Sequence, residues 1–301
     1  MKIRKKTDLL LLLLVVPLFC GFAEIPIKAQ SPLEDVTVDV PFVTMPRKDV
    51  EKMLEMAEVG PADILYDLGS GDGRIVIAAA EQYGARGVGV EIDGELVRAS
   101  RSKARRAKVA DRVTFVESDL FKADFSDATV VTLYLMPDLN LRLRPTLLGL
   151  RPGSRVVSHS WDMGEWQPDE AVISPSLTVR MFPDKKFRRS RIYLWIIPAN
   201  VSGVWEWPAQ DGKGVRTLRI SQRFQKAEGF LTGAGGETPA AVEIRGERVR
   251  ISTTEGLRPM IFEGKVMQDM IEGTARFSDK EAEIIPWKAV RQEGTMAVLS
   301  P

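Results

Sequence analysis

A glycine-rich turn between an apolar strand and a helix constrains the fold of this chain most strongly. The apolar run Ile64–Leu68 is followed by residues 69–73, GSGDG, and then by a helical pattern over 75–80. Glycines let the backbone turn sharply without Cβ atoms in the way, and a helix start offers free N–H groups. A strand, a tight turn and a helix N-terminus in this order predict a nucleotide-like ligand site in an α/β fold.

The spacing of the glycines argues against NAD or FAD. In the dinucleotide fingerprint G-x-G-x-x-G the third glycine packs the helix on the strand. Here Gly69, Gly71 and Gly73 alternate, and Arg74 stands where that third glycine belongs. An acid, Asp67, lies two residues before the first glycine. This pattern resembles motif I of the class I methyltransferases that use S-adenosylmethionine (SAM).

Segments downstream extend the same pattern into a whole sheet. A second apolar run, 87–90, ends at Glu91, about where a ribose-binding carboxylate is expected. A third strand, 113–116, precedes Asp119, which is either a turn or capping acid or, as in SAM enzymes, a partner of the adenine amino group. The remaining strands are predicted at 129–135 and 155–160 and in a hairpin of 177–182 and 191–197. Strands alternating with helices predict a seven-stranded, mostly parallel, Rossmann-like methyltransferase sheet.

Several short motifs make the resemblance narrower. They are PFVT at 41–44, YDLGSGDGRI at 66–75, YLMP at 134–137, LRP at 143–145, RVVSH at 155–159 and WQP at 166–168. Together they resemble the FAM173-type lysine N-methyltransferases, over roughly residues 38–198. That family includes mitochondrial enzymes that methylate lysines of the ADP/ATP carrier and of the c-ring protein of ATP synthase. The resemblance implies SAM as the cofactor and a protein lysine as the methyl acceptor.

The same resemblance assigns roles within the expected site. The cofactor-binding candidates are Asp67, Gly69, Ser70, Gly71, Gly73, Glu91 and Asp119. Tyr134 closes the fourth strand, and ligands of open α/β sheets bind outside the carboxyl ends of the strands, so it is the first catalytic candidate. Phe42 and Thr44 join it in an apolar, aromatic mouth that would lower the pKa of an acceptor lysine. We predict no metal site.

The sequence leaves other functions open. Because a fold does not set the acceptor, a small-molecule methyltransferase is the first alternative, and a non-enzymatic exported binding protein is the second. His159, the only histidine, is either a base or substrate contact or a packed side chain. A net charge of +1 gives no global attraction to nucleic acid, so we expect no nucleic-acid partner.

Residues 1–31 differ from the rest of the chain. Four basic residues precede an apolar run over 9–23, which is shorter than the stretch that a transmembrane helix usually needs. We predict a signal peptide or an N-terminal anchor, with possible membrane association through this run. The protein is then exported or membrane-anchored, with the cytoplasmic face of the membrane as the alternative.

Composition changes again after Pro198. Residues 199–301 consist of short alternating segments with turn signals about every 8–12 residues, which predicts an antiparallel β-barrel or sandwich. This region resembles small lipocalin-like bacterial β-domains. The predicted organisation is therefore 1–31 as the N-terminal segment, 32–198 as the methyltransferase domain and 199–301 as the β-domain.

Overall fold

The structure is a computed structural model, and it describes residues 43–180, 187–209, 214–233, 236–255, 258–279 and 283–299. The predicted N-terminal segment, 1–31, and the site candidate Phe42 lie outside these residues. Within the described ranges, no helix combines the length and the apolar character needed to cross a membrane. The described residues all belong to one compact unit, Val40–Pro301.

Helices and strands alternate through the first part of this unit. The helices are α1 (Arg47–Met56), α2 (Arg74–Tyr83), α3 (Gly94–Arg106) and α4 (Pro137–Leu148). The strands are β1 (Ile64–Leu68), β2 (Arg86–Glu91), β3 (Val113–Glu117), β4 (Val130–Leu133), β5 (Arg155–His159), β6 (Glu170–Arg180) and β7 (Phe187–Ile196). They form one sheet in the order β3-β2-β1-β4-β5-β7-β6, in which β1 to β5 are parallel and β7 is antiparallel to both neighbours. The predicted seven-stranded Rossmann-like sheet is confirmed.

The direction of strand order reverses between β1 and β4. The chain moves outward from β1 to β3 and then returns to place β4 on the other side of β1. Ligands of open α/β sheets bind at the carboxyl ends of the strands at such a switch point. Leu68 is the register partner of Leu133, so the glycine loop and Tyr134 leave the sheet side by side.

Local signals place the helix starts directly behind this edge. α2 begins after Gly73, which has a left-handed φ of 76°, and is followed by Gly84, which has a φ of 72°. Glycine adopts this conformation without a Cβ penalty. α3 is capped by Asp93, whose carboxylate accepts a hydrogen bond from the Glu95 N–H at 2.7 Å. Both helices therefore begin at the carboxyl ends of the parallel strands, where a ligand is expected to bind.

The second part of the unit is a closed antiparallel barrel. Its strands are β8 (Gly203–Pro208), β9 (Val215–Arg223), β10 (Lys226–Gly233), β11 (Gly236–Arg245), β12 (Arg248–Glu255), β13 (Arg258–Met267), β14 (Met270–Phe277) and β15 (Ile285–Arg291). Each strand pairs with the next, and β15 returns to pair with β8. Inside, the rings of Trp207, Phe262 and Trp287 lie 5.0 to 5.6 Å apart. The structure thus selects the barrel from the two predicted β architectures.

One barrel side chain packs into the core beside the first sheet. Phe224, in the turn between β9 and β10, is 4% exposed and stacks on Trp166, with ring centroids 5.9 Å apart. The neighbouring Gln225 side chain donates a hydrogen bond to the Gln167 carbonyl at 2.5 Å. These contacts tie the barrel to the β5–β6 connection. The division into domains 32–198 and 199–301 stays a prediction.

We expect Phe224→Ala to destabilise the chain by about 3–5 kcal/mol, because truncating a buried aromatic ring removes its transfer free energy and leaves a cavity. The matched control is Phe230→Ala on β10, where the ring is 39% exposed and the expected cost is about 1 kcal/mol or less. Urea denaturation of both variants measures the difference. Equal stabilities for the two variants would show that the Phe224 contact does not hold the barrel.

Candidate active site

The glycine loop needs glycine for its backbone conformation and for close packing. Gly69, Gly71 and Gly73 have φ values of 80°, 52° and 76°, which other residues rarely adopt. A Cβ on Gly69 would lie 2.8 Å from Leu135, and one on Gly73 would lie 2.6 Å from the Phe115 ring. The three predicted glycines therefore shape one tight turn at the end of β1.

Backbone hydrogen bonds hold this loop against β2 and α3. The N–H groups of Gly69 and Ser70 both donate to the Val90 carbonyl at 2.9 Å. From α3, the Ser100 hydroxyl donates to the Gly71 carbonyl at 3.1 Å. The Ser70 hydroxyl is buried against Gly89, so we expect Ser70 to act in the site through its backbone.

Glu91, at the end of β2, folds its carboxylate over the loop. Oε2 accepts the Gly71 N–H at 2.8 Å, while Oε1 accepts the N–H groups of Ile92 and Asp93 at 2.9 and 3.0 Å. Oε1 thus accepts two hydrogen bonds, while Oε2 accepts one and keeps a second lone pair for a further hydrogen bond. The arrangement is suited to binding ligand hydroxyls beside the loop.

Asp67 is the most deeply buried acid of this edge. It is 3% exposed, and its Oδ1 accepts a hydrogen bond from the Thr132 hydroxyl at 2.8 Å. Burial raises the pKa of Asp67 to about 7, and the nearby carboxylates of Glu91 and Asp72 raise it further against the opposing hydrogen bond from Thr132. A cationic ligand would stabilise the ionised form here.

This pKa predicts how stability depends on pH in the ligand-free protein. Because the folded-state pKa lies above the unfolded value, stability from protonated Asp67 is fully present below about pH 4 and is lost as the pH rises through about 7. Asp67→Asn should remove that loss, so it becomes more stable than the natural protein by about 2–4 kcal/mol near pH 8. Urea denaturation between about pH 5 and pH 8 measures it, with the exposed Asp111→Asn as control. Parallel pH profiles for all three proteins would contradict the assignment.

Asp119 lies in the turn after β3, and its side chain bonds the backbone of that turn. Its side chain is partly buried, and Oδ1 accepts the Phe121 N–H at 2.9 Å. Of the two roles considered from the sequence, the structure shows the turn contact, and the adenine contact stays a prediction. Within the described ranges, no group of three or more His, Cys, Asp and Glu side chains is arranged to hold a metal.

The predicted acceptor side lies one strand away from the loop. Tyr134 is half-buried directly after β4, and its neighbour Leu135 packs against Gly69. Thr44 is exposed in the segment before α1. The adjacent Met45 carbonyl accepts a hydrogen bond from Arg74, the first residue of α2, at 2.5 Å. The structure therefore brings Tyr134 and the segment of Thr44 to the glycine loop from two directions.

His159 is a packed histidine, one of the two possibilities left open from the sequence. It is completely buried at the end of β5, and its ring meets the Tyr134 ring edge-on, with centroids 4.9 Å apart. Burial lowers the pKa of His159 to about 4 although the Asp49 carboxylate acts in the opposite direction. The side chain is therefore neutral near pH 7 and packs against the Tyr134 ring from inside the core.

Sequence reasoning missed the charged cluster that anchors the loop to two helices. The Asp72 carboxylate accepts hydrogen bonds from Arg74 at 2.7 and 2.5 Å and from Lys103 on α3 at 2.5 Å. Burial alone would raise the pKa of Asp72, but these bonds lower it to about 2. Asp72 lies within the glycine motif, so the sequence alone could have indicated it as a loop residue. Its partner Lys103 is one of several basic residues on α3, and nothing in the sequence distinguishes it from the others.

The edge fits SAM by the chemistry of its donors and acceptors. SAM carries a sulfonium, an ammonium, a ribose diol and an adenine amino group, and all but the sulfonium donate hydrogen bonds. An acid lies at the carboxyl end of each of three strands: Asp67 is the residue before the end of β1, Glu91 ends β2, and Asp119 follows β3. The left-handed glycine loop keeps the backbone beside them clear of Cβ atoms. These residues would hold the cofactor, and Tyr134 would face the acceptor.

Comparisons with known proteins identify the family. A family profile described as the ANTKMT methyltransferase domain matches residues 67–170. A protein-lysine N-methyltransferase of Saccharolobus islandicus (strain REY15A) is 44% identical over 135 residues, which are 44% of this chain and 84% of that protein. The adenine nucleotide translocase lysine N-methyltransferase of Mus musculus is 35% identical over 150 residues, 49% of this chain and 61% of that protein.

Further similarity covers the same part of the chain. A second lysine N-methyltransferase of Mus musculus, named for ATP synthase, is 40% identical over 44% of this chain and 53% of that protein. The crystal structure of an RNA methyltransferase from Salinibacter ruber in complex with S-adenosyl-L-homocysteine is 51% identical, with a TM-score of 0.46, and the match covers 53% of this chain and 96% of that one. The chain thus spans most of the Saccharolobus islandicus relative but only about half to two thirds of the mouse relatives.

The matched residues contain the site described above. The profile range 67–170 includes the glycine loop, Glu91, Asp119, Tyr134 and His159, and it stops before the barrel. SAM is the methyl donor of this class of enzyme. The chain therefore belongs to the methyltransferase family described by the ANTKMT methyltransferase domain.

Proposed function

We propose that this chain transfers a methyl group from SAM to the side-chain amine of a lysine in a protein. The observation that carries the proposal is the 44% identity to the protein-lysine N-methyltransferase of Saccharolobus islandicus over 84% of that protein. Two mouse relatives are also named as lysine N-methyltransferases, with protein acceptors in their names. Their particular acceptors are not transferred to this chain.

The site supports this chemistry by holding the cofactor and the acceptor amine in line with each other, and it needs no dedicated acid or base. Bound SAM supplies an electrophilic methyl group. At the carboxyl end of the sheet, the glycine loop after β1 is bonded to Glu91 of β2. Tyr134 follows β4, which is the neighbour of β1 on the other side. Holding two reactants in the reacting geometry removes much of the entropic cost of a bimolecular step.

A lysine must be neutral before its nitrogen can attack. The half-buried Tyr134 ring provides a partly desolvated aromatic surface, which disfavours the charged ammonium. We propose that Phe42 and Thr44 complete this mouth. The acceptor lysine would then release its proton to water on entering. Its lone pair would form the new N–CH₃ bond as the S–CH₃ bond of SAM breaks, which leaves S-adenosylhomocysteine.

The fold itself does not exclude other acceptors, so the acceptor class needs a direct test. Purified full-length chain is incubated with methyl-labelled SAM and an extract of the source cells, and the products are treated with protease or ribonuclease. We expect label in a protein fraction that protease removes and ribonuclease leaves. Label in the small-molecule fraction, or label that ribonuclease removes, would overturn the proposal.

We further propose that residues 9–23 direct the chain to a membrane or to export. The support is the apolar run behind four basic residues, which is typical of signal peptides and short anchors. Fractionation of cells that express the full chain or a chain lacking residues 1–31 tests this. We expect only the full chain in the membrane or exported fraction, and the same distribution for both would refute the proposal.

A further inference from the structure

One arginine joins the glycine loop to the segment that precedes α1. Arg74, the first residue of α2, donates from Nε and Nη2 to the Asp72 carboxylate at 2.7 and 2.5 Å. Its Nη1 donates to the Met45 carbonyl at 2.5 Å. Because the planar guanidinium presents these donors in a fixed fork, the two partners set its orientation together. The side chain is therefore a bridge between two separate parts of the chain.

The segment bound in this way carries the predicted acceptor residue Thr44. Val43 and Thr44 are exposed, whereas the Met45 side chain is 2% exposed and packs in the core. Within the described ranges, no other side chain forms a hydrogen bond with the backbone of residues 43–45. The position of Thr44 therefore depends on two contacts, the buried Met45 side chain and the hydrogen bond from Arg74.

A second cation on the same carboxylate distinguishes the two contacts of Arg74. Lys103 of α3 also donates to Asp72, at 2.5 Å, but among the described residues it forms no hydrogen bond with Met45. Removing either cation takes one partner from the ionised carboxylate of the loop. Only the removal of Arg74 also frees the Met45 carbonyl. A comparison of the two cations therefore isolates the bond to the segment before α1.

We propose that Arg74 is a positioning residue that holds the backbone of residues 43–45 against the cofactor loop and so pre-forms the binding site of the methyl acceptor. This proposal rests on the proposed function. Without the bond to Met45, the acceptor must order this segment when it binds, and that cost weakens its binding. The cofactor binds at the loop itself, so its affinity depends on Asp72 and not on the Met45 carbonyl.

Arg74→Met and Lys103→Met form a matched pair of variants. Each full-length variant is assayed at saturating methyl-labelled SAM with a dilution series of the cell extract as acceptor. Both variants remove a cation from Asp72, so their Kd values for SAM should agree within about threefold. Arg74→Met should need about tenfold more extract protein than Lys103→Met for half-maximal labelling, because it also loses a hydrogen bond from a charged donor. Equal half-maximal concentrations for the two variants would overturn the proposal.

Hydrogen–deuterium exchange tests the same bridge without any methyl acceptor. Mass spectrometry of the full-length proteins follows the amide hydrogens of residues 43–50, and circular dichroism checks that each variant is folded. We expect exchange in this segment to be at least about threefold faster in Arg74→Met than in Lys103→Met. The same exchange rate in both variants would refute the bridge. If the exchange differs as expected but the natural protein labels no protein, the proposed function fails and the bridge stands.

Discussion

Replacing Gly71 by valine should abolish measurable SAM binding while the chain remains folded. Gly71 has a φ of 52°, its N–H donates to Glu91 and its carbonyl accepts from Ser100. A β-branched side chain is strained in this conformation, and its Cβ would block the approach of a ligand to the loop backbone. We expect the Kd of SAM to rise by at least about 100-fold, which is about 3 kcal/mol.

The matched control for this variant is Gly153→Val in the turn between α4 and β5. Gly153 has a similar left-handed φ of 90°, and a Cβ there would meet no atom within 4 Å. It therefore carries the backbone strain of the substitution without touching the site. Calorimetric titration and circular dichroism of both variants separate the two effects. A wild-type SAM affinity in Gly71→Val, or an equal loss in Gly153→Val, would remove the glycine loop from the cofactor site.

Tyr134→Ala should mainly lower kcat, whereas Glu91→Ala should mainly weaken SAM binding. Tyr134 lies on the acceptor side, so its truncation should lower kcat by about 100-fold and leave the Kd of SAM within about threefold. Glu91 accepts three loop N–H groups and faces the expected ribose position, so its truncation should weaken SAM binding by about 1.5–3 kcal/mol. Glu91→Gln, which keeps one carbonyl acceptor, is the control for loop distortion.

The two variants are compared by SAM titration and by turnover at saturating SAM. The expected split places the cofactor over β1 to β3 and the acceptor beside β4. Should Tyr134→Ala lose SAM binding and keep its turnover, the acceptor would lie elsewhere and the aromatic mouth would be wrong.

Most of the sheet and all the barrel strands could be predicted because their signals are local. Apolar runs ending in acids marked β1 and β2, and period-two alternation with turns marked the barrel. The hairpin strands were predicted too short, at 177–182 and 191–197, whereas β6 is Glu170–Arg180 and β7 is Phe187–Ile196. For β6 the reason lies in Ser174, a buried polar residue that donates a hydrogen bond to Asp49 and interrupts the apolar pattern.

The contacts that join distant parts of the chain could not be predicted in this way. Asp49 belongs to a helical pattern in which a charged residue is expected at the surface, yet it is buried against His159 from another element. Phe224 sits in a turn between two barrel strands, and nothing in the local sequence indicates its stacking on Trp166. Periodicity shows which face of an element is apolar, but not which polar or aromatic group it will meet.

The position of the transferred methyl group tests the central claim most directly. The protein labelled with methyl-labelled SAM in cell extract is digested, and mass spectrometry locates the added methyl group, with Gly71→Val as the inactive control. The account predicts that the label lies on the side-chain nitrogen of lysine and is absent with the control. A methyl group on a different residue type, or equal labelling by the control, would contradict it.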